Sequence, residues 1–407
     1  MSRRSPALPF ILVTVLLDVM GIGLLLPVLP AIVGQFTDSR DAQSYWYGAM
    51  LLTFGTMQFL CAPLLGALSD RFGRRPVLLV SITGMGLMFL ATPLVTSLGA
   101  LLATRVFGGA LAANFSVANA YVADISAPEA RARGFGMIGA AFGIGFVLGP
   151  MLGGLLGHVD IRLPFFVAAG LSFLNFAYGL AVLPESLPAE RRKPIDLSRA
   201  NPLGALRGLA GLAGVGLLVA VFALINLAQF ILHSVWVLYT GFRFDWGPRE
   251  AGLSLFVVGL AVALVQGGLL GVLLRKFGER RLVLVGLGSA ALAYAAYGLA
   301  TAGWMMYAII AANLLGFTVG PALHAIVSKA APANEQGLAM GALSSLASLV
   351  AILAPLAGAP LLAEVSHLPA NDWKMGAPFF LSSLLAFAAL ALAATHFSRQ
   401  RAPAPAH

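Results

Sequence analysis

Asp18 sits well inside the apolar run that opens the chain, and no other carboxylate comes as near the middle of an apolar segment. A bare carboxylate in hydrocarbon is expensive, so it must take up a proton for part of its working life or face a wet cavity. Alternation between two such environments is what a proton-carrying side chain needs. Arg105 is the only basic residue inside an apolar segment. Helical spacing puts it on one face with Gly108, Gly109, Ala112, Ser116 and Asn119, small and polar as a cavity wall would be. Further along, Asn226, Gln229, His233 and Trp236 stand three or four apart and form one stripe on an apolar helix. Lipid cannot satisfy those polar groups, so the stripe is expected to face a central cavity. His233 can titrate near neutral pH, but no carboxylate partner is evident for it, and it ranks below Asp18. Gln58, Gln266 and Asn313 are candidate companions, and Met50, Met57, Phe142 and Phe146 candidate apolar walls.

These residues need a membrane scaffold. The chain has 407 residues, 59% hydrophobic and 10% charged, too little charge to cover a soluble protein of this length. Apolar segments of about 20 residues, enough to cross a bilayer, follow one another from end to end. They predict helices over 8–33, 45–69, 76–95, 98–123, 131–157 and 163–183, then 208–240, 249–274, 281–301, 303–328, 336–364 and 375–397. The expected fold is an all-α membrane protein with twelve transmembrane helices in two pseudo-symmetric six-helix bundles, 1–184 and 208–407. The one sustained polar stretch, 185–207, is the linker between them. The 46 glycines suit helices that must approach closely without a hydrophobic force. The first run carries Asp18 and has no small-residue cleavage site, so it reads as a retained helix and not as a signal peptide.

The formal charge of +9 does not point to nucleic acid, because the basic residues sit in short loops between spans. Arg71, Arg74, Arg75, Arg131, Arg133, Arg191, Arg192, Lys193, Arg275, Lys276, Arg280 and Arg281 fall on one side, with fewer opposite them (Arg40, Arg162, Arg243, Arg249 and Lys374). The bias puts both termini in the cytoplasm. The single cysteine, Cys61, allows neither an internal disulfide nor a cysteine metal cluster.

The loop Gly66-Ala-Leu-Ser-Asp70-Arg71-Phe-Gly73-Arg74-Arg75 returns 205 residues later as Gly271-Val-Leu-Leu-Arg-Lys-Phe-Gly-Glu-Arg280. Two copies of one unit follow, each with a basic hairpin between its second and third helices. The first copy resembles the signature between helices 2 and 3 of the major facilitator superfamily. Gly145-Phe-Val-Leu-Gly149-Pro150-Met-Leu-Gly153-Gly154 resembles the helix 5 motif of its twelve-span drug/proton antiporter branch. Gly21, Pro27, Val28 and Pro30 resemble its first-helix motif. Leu101, Arg105, Gly109, Ala112 and Ala113 resemble its helix 4 motif, with Gly108 in place of a usual polar residue and Leu111 in place of a usual glycine. The stretches around Asp18, Gln58, Ala120–Asp124 and Lys276–Glu279 are most similar to tetracycline/proton antiporters. Those antiporters carry acids in the middle of helices 3 and 9, whereas Leu79–Ala91 and Val285–Gly298 here contain none.

The resemblance implies the major facilitator fold and export of a hydrophobic or amphipathic drug-like compound, with tetracyclines among the candidates, in exchange for protons. Asp18, Arg105 and His233 are the expected proton-coupling residues. Asp70, Arg71, Gly73, Arg74, Arg75 and Asp124 are expected to form a conformational latch, with Asp70 reaching the start of helix 11 near Glu335–Gly337 and Arg74 reaching Asp124. The helix 5 motif is expected to be structural, its glycines admitting another helix and Pro150 bending its own. No metal-ligand spacing, phosphate-binding Gly-Lys-Ser/Thr or nucleophile elbow occurs, so neither an enzyme nor a cofactor is expected. Without an ATP-binding domain the energy must come from an ion gradient, and the few intramembrane acids favour protons over sodium. The implied setting is a functional monomer in the bacterial cytoplasmic (inner) membrane. A carrier of a metabolite or sugar with the same fold is the alternative, and a non-transporting receptor would have no use for Asp18.

Overall fold

The computed structural model describes residues 7–112, 114–127, 130–192, 194, 216–330 and 336–399, and these are almost entirely helical. They fold as two compact units, Met1–Pro202 with Gly247–Gly259, and Leu203–Trp246 with Leu260–His407.

The first unit holds α1 (Ala7–Leu25), α2 (Leu29–Gly34), α3 (Arg40–Phe72), α4 (Arg74–Ala91), α5 (Leu98–Leu111), α6 (Asn114–Ile125), α7 (Arg131–Val159) and α8 (Leu163–Val182). Local signals set the boundaries. Ser39 and Ser97 accept hydrogen bonds from Ala42 N and Ala100 N, capping α3 and α5. Gly73, at φ 104°, turns the chain from α3 directly into α4, a backbone setting that favours glycine. The core runs through Phe10, Ile11, Val15, Leu78, Val117, Tyr121, Val122 and Ile138.

Glycines of α7 let two neighbours come within backbone contact. A Cβ on Gly145 would lie 2.8 Å from Leu16 O, one on Gly149 2.8 Å from Met20 O, and one on Gly153 would collide with Leu24 O, all on α1. On its other side Gly154 meets Gly252, at the start of α10 (Pro248–Leu264). Gly247–Gly259 groups with the first unit. Linker residues 195–207 lie outside the described residues.

The second unit contains α9 (Gly216–Phe244), α11 (Leu270–Leu299), α12 (Gly303–Ala312), α13 (Val319–Ala330), α14 (Gln336–Val365) and α15 (Ala377–Arg399). Its centre is aromatic: Tyr239 and Phe379 lie 4.4 Å apart, and Trp236 meets Tyr297 edge-on at 5.1 Å. Arg243 ties loops together by donating to Ala300 O at 2.7 Å and Asp372 O at 2.6 Å.

Among the described residues, ten helices are long and apolar enough to cross a membrane, and the bent pair α12 and α13 adds another. The stretch Pro248–Leu299, 52 residues long, is more than twice the length of an ordinary crossing and turns at Gly278 (φ 74°). Gly278 is the repeat equivalent of Gly73, and both adopt positive φ. The twelve expected spans fit this arrangement.

Candidate functional site

Asp18 projects from α1 into a cavity of about 60 Å³ within the first unit, lined among others by Thr14, Gln58, Met85, Phe89, Ala112, Asn114, Phe115 and Phe142. The carboxylate is not bare. Asn114 Nδ2 donates to Oδ2 at 3.1 Å, and Asn175 Nδ2 donates to Oδ1 at 3.3 Å. Asn175 is in turn fixed by the Thr14 hydroxyl, which donates to its Oδ1 at 3.1 Å. Neutral donors from two helices therefore meet the acid, which is how a polar group is tolerated at membrane depth.

The fourth span, Leu98–Ile125, passes this cavity, with α5 ending at Leu111 and α6 described from Asn114. The carbonyl of Ala112 accepts from Gln58 Nε2 at 3.3 Å. The tenth span is bent by 52° between α12 and α13.

Arg105 is buried and donates to the Thr92 hydroxyl at 2.8 Å and, at 3.4 Å, to Thr104. Among the described residues it has no carboxylate partner and does not line the Asp18 cavity. The two expected proton-coupling residues of the first unit are thus held by separate polar networks. Asn119 donates to Phe115 O on its own helix at 2.9 Å. Phe146 stacks on Phe142, centroids 6.2 Å apart, extending the aromatic side of the cavity.

The α9 stripe divides. Gln229 and His233 are exposed in their unit and Asn226 is half-buried, donating to Phe222 O at 2.8 Å. Trp236 is 2% exposed and belongs to the aromatic core, so it is not a wall residue. It lies only about 20° round the helix from exposed Gln229, and what buries it is the packing of Tyr297 and Phe379 on its ring. Met50 is likewise fully buried. Asn313 is 4% exposed and its Oδ1 accepts from Ser289 Oγ at 3.0 Å, so it braces the break in the tenth span. Gln266 is exposed on a π-helical turn, Val265–Leu269.

At the other end of the first unit, Arg74 gathers the hairpin. Its Nη2 lies 2.7 Å from Asp70 Oδ1, its Nη1 donates to Ser69 Oγ at 2.5 Å, and its Nε donates to Asp124 Oδ2 at 3.0 Å. Asp70 is thus paired within the hairpin, while Glu335, near its expected destination, lies outside the described residues. Arg71 is exposed beside Phe72, and Arg75 donates to Leu180 O at 2.8 Å. Glu185 accepts from the backbone N–H of Arg74 at 2.9 Å and of Arg75 at 3.3 Å, supplying negative charge at the start of α4. Ser186 donates to Asp124 at 3.2 Å.

Thr14, Asn114, Asn175 and Glu185 were not singled out by sequence reasoning. Asn114 and Asn175 carried the signal used for α9, an amide inside an apolar run, whereas Glu185 looked like ordinary linker charge.

Two helical units, an amide-held acid facing a cavity among membrane-length helices and a positively charged hairpin repeated in each half define a secondary transporter. Residues 11–355 match the model of the Major Facilitator Superfamily. The chain belongs to that superfamily and is a transporter, not an enzyme. It is 40% identical to the class C tetracycline resistance protein of Escherichia coli over 94% of this chain and 96% of that one. It is 36% identical to the class G protein of Vibrio anguillarum, covering 87% and 89%. Among solved structures, the human organic anion transporter MFSD10 superposes with a TM-score of 0.67 at 26% identity, covering 97% of this chain and all of that one. A bacterial homologue of the human lysosomal transporter Spinster superposes with a TM-score of 0.76 at 17% identity over the full length of both chains, a likeness of fold.

Proposed function

We propose that this chain exports hydrophobic or amphipathic drug-like compounds, tetracyclines among them, in exchange for protons, by alternating access of its two halves. The observation that carries the reading is Asp18, a carboxylate facing a cavity and held, among the described residues, by neutral amides. Such a group can bind and release a proton without breaking an ion pair. The relatives named tetracycline resistance proteins supply the substrate class. Arg105 and His233 act in the same cycle by shaping the electrostatics of their halves, and Gln58, Phe142, Phe146, Gln229 and Gln266 supply substrate contacts. The hairpin from Asp70 to Arg75, with Asp124, acts as the latch. The protein works as a monomer in the bacterial inner membrane with both termini in the cytoplasm.

The test is proton flux in proteoliposomes on addition of tetracyclines, dyes, fluoroquinolones and phenicols. Stimulation by one of these classes supports the reading. Silence across the panel, with flux driven instead by a sugar or other metabolite, would replace drug export by metabolite transport.

A further inference from the structure

Asn114 is 6% exposed, and its two polar atoms are used unequally. Nδ2 donates to the Asp18 carboxylate, while Oδ1 is buried with no hydrogen-bond partner among the described residues. Such an orphan costs about 1–3 kcal/mol and calls for an explanation. Among the buried side-chain atoms without a partner in the described residues, it is the one whose residue lines the Asp18 cavity. The other amide on Asp18 has no such vacancy, because Asn175 Oδ1 accepts from Thr14.

We infer that Asn114 reads the protonation state of Asp18: its side-chain amide donates from Nδ2 to the ionised carboxylate and turns over to accept at Oδ1 from the protonated acid. This rests on the proton-exchange reading above. The chemistry is a change of donor. An ionised carboxylate only accepts, whereas a carboxyl that has bound H⁺ from water carries one O–H that must donate. Facing Asn114 Nδ2, that O–H would meet another donor. A half-turn about the Cβ–Cγ bond brings Oδ1 to it and leaves one good hydrogen bond in either state. No covalent bond other than the carboxyl O–H forms or breaks.

No second ionisable group competes for the role. The cavity lining holds no titratable side chain besides Asp18. On the helices packed against α1, the titratable groups among the described residues are Tyr121 and Asp124 of α6, Arg131, Arg133 and His158 of α7, and Tyr178 of α8, none of them lining it. Asn114 lies two residues from Ala112, so its turn-over acts beside the Gln58 bond to Ala112 O. A proton arriving on α1 is thereby reported to the fourth span. Asn114 is a positioning residue in this account, while Asp18 carries the proton.

Infrared difference spectra of the reconstituted full chain during acid titration test this directly. Acidification should raise a carboxyl C=O band that Asp18→Asn removes, together with a fall in wavenumber of one side-chain amide C=O. Asn114→Leu should abolish the amide change and move the carboxyl band to higher wavenumber, whereas Asn175→Leu should leave the amide change in place. Asn114→Thr, which keeps a group able to donate and accept, serves if the leucine variant does not fold, and should restore the carboxyl band towards its original position. A carboxyl band at the same wavenumber in wild type and folded Asn114→Leu, or an amide change that persists in Asn114→Thr, would overturn the inference while leaving Asp18 as proton carrier. Absence of any Asp18-dependent band would overturn the proton-exchange reading itself.

Discussion

Lys329 pairs with Glu279 at 2.6 Å, and each stands 205 residues after a member of the Arg74–Asp124 pair, with the charges exchanged. Glu279 holds the position of Arg74, just after the positive-φ glycine of the hairpin, and Lys329 holds that of Asp124 at the end of the next span but one. Both halves thus keep a brace between the same two helices. Opposite polarity preserves the bond within each half. It also means that a residue from one pair meets like charge if matched with its counterpart's partner, Arg74 with Lys329 or Asp124 with Glu279.

The brace makes its own prediction. Reversing one charge, Lys329→Glu, puts two carboxylates together and should lower transport several-fold. The double exchange Glu279→Lys with Lys329→Glu should bring most of it back. Lys329 is 72% exposed at its side chain, so the effect on melting should be small. In the first half Arg74 is far more buried, and Asp124→Asn should reduce turnover about fivefold, the population shift that about 1 kcal/mol produces. Rates in proteoliposomes, compared with drug binding to the detergent-solubilised protein, would separate the two effects.

Glu185 should matter for stability more than for turnover. It satisfies backbone donors at the start of α4, a place where loss of a capping acceptor costs about 1 kcal/mol. Glu185→Ala should melt measurably below wild type and Glu185→Gln should fall between, in thermal unfolding followed in detergent.

Close packing of α7 on α1 gives a sharper contrast. Gly153→Ala sets a methyl against the carbonyl of Leu24 and should cost about 1–3 kcal/mol, seen as loss of monodisperse protein. A Cβ on Gly143, in the same helix, meets nothing within 4 Å, so Gly143→Ala should be neutral or slightly stabilising.

Trp236 and His233 should part company although they share a helix. Trp236→Ala empties the centre of an aromatic cluster and should destabilise the second unit by about 3–5 kcal/mol. His233→Ala, at an exposed position, should leave melting unchanged and alter the range of compounds that stimulate flux.

Most of this fold was legible because hydrocarbon leaves a chain few choices. Apolar length gave the spans, and the repeated Gly73 and Gly278 hairpins gave the two halves. Asp18 was legible as a charge where none is comfortable. Its partners were hidden because Asn114 and Asn175 are 96 and 157 residues away, and one amide in an apolar run looks like another until the helices pack. Trp236 was misplaced because spacing puts it within about 20° of exposed Gln229 and cannot show that Tyr297 and Phe379, 61 and 143 residues on, cover its ring. Asn313 carries the same polar label as a cavity amide, yet it is consumed by a break that periodicity does not announce. Arg105 stood out by charge alone, and its hydroxyl partners Thr92 and Thr104 carried no comparable mark.

The account turns on Asp18, and drug-stimulated proton flux across proteoliposomes containing wild type or Asp18→Asn is the most direct measurement of it. Asparagine keeps the size of the site and, like the protonated acid, offers both a donor and an acceptor, but it cannot exchange a proton. The variant should fold, bind compound and move no protons when compound is added. Undiminished flux through it would contradict the account.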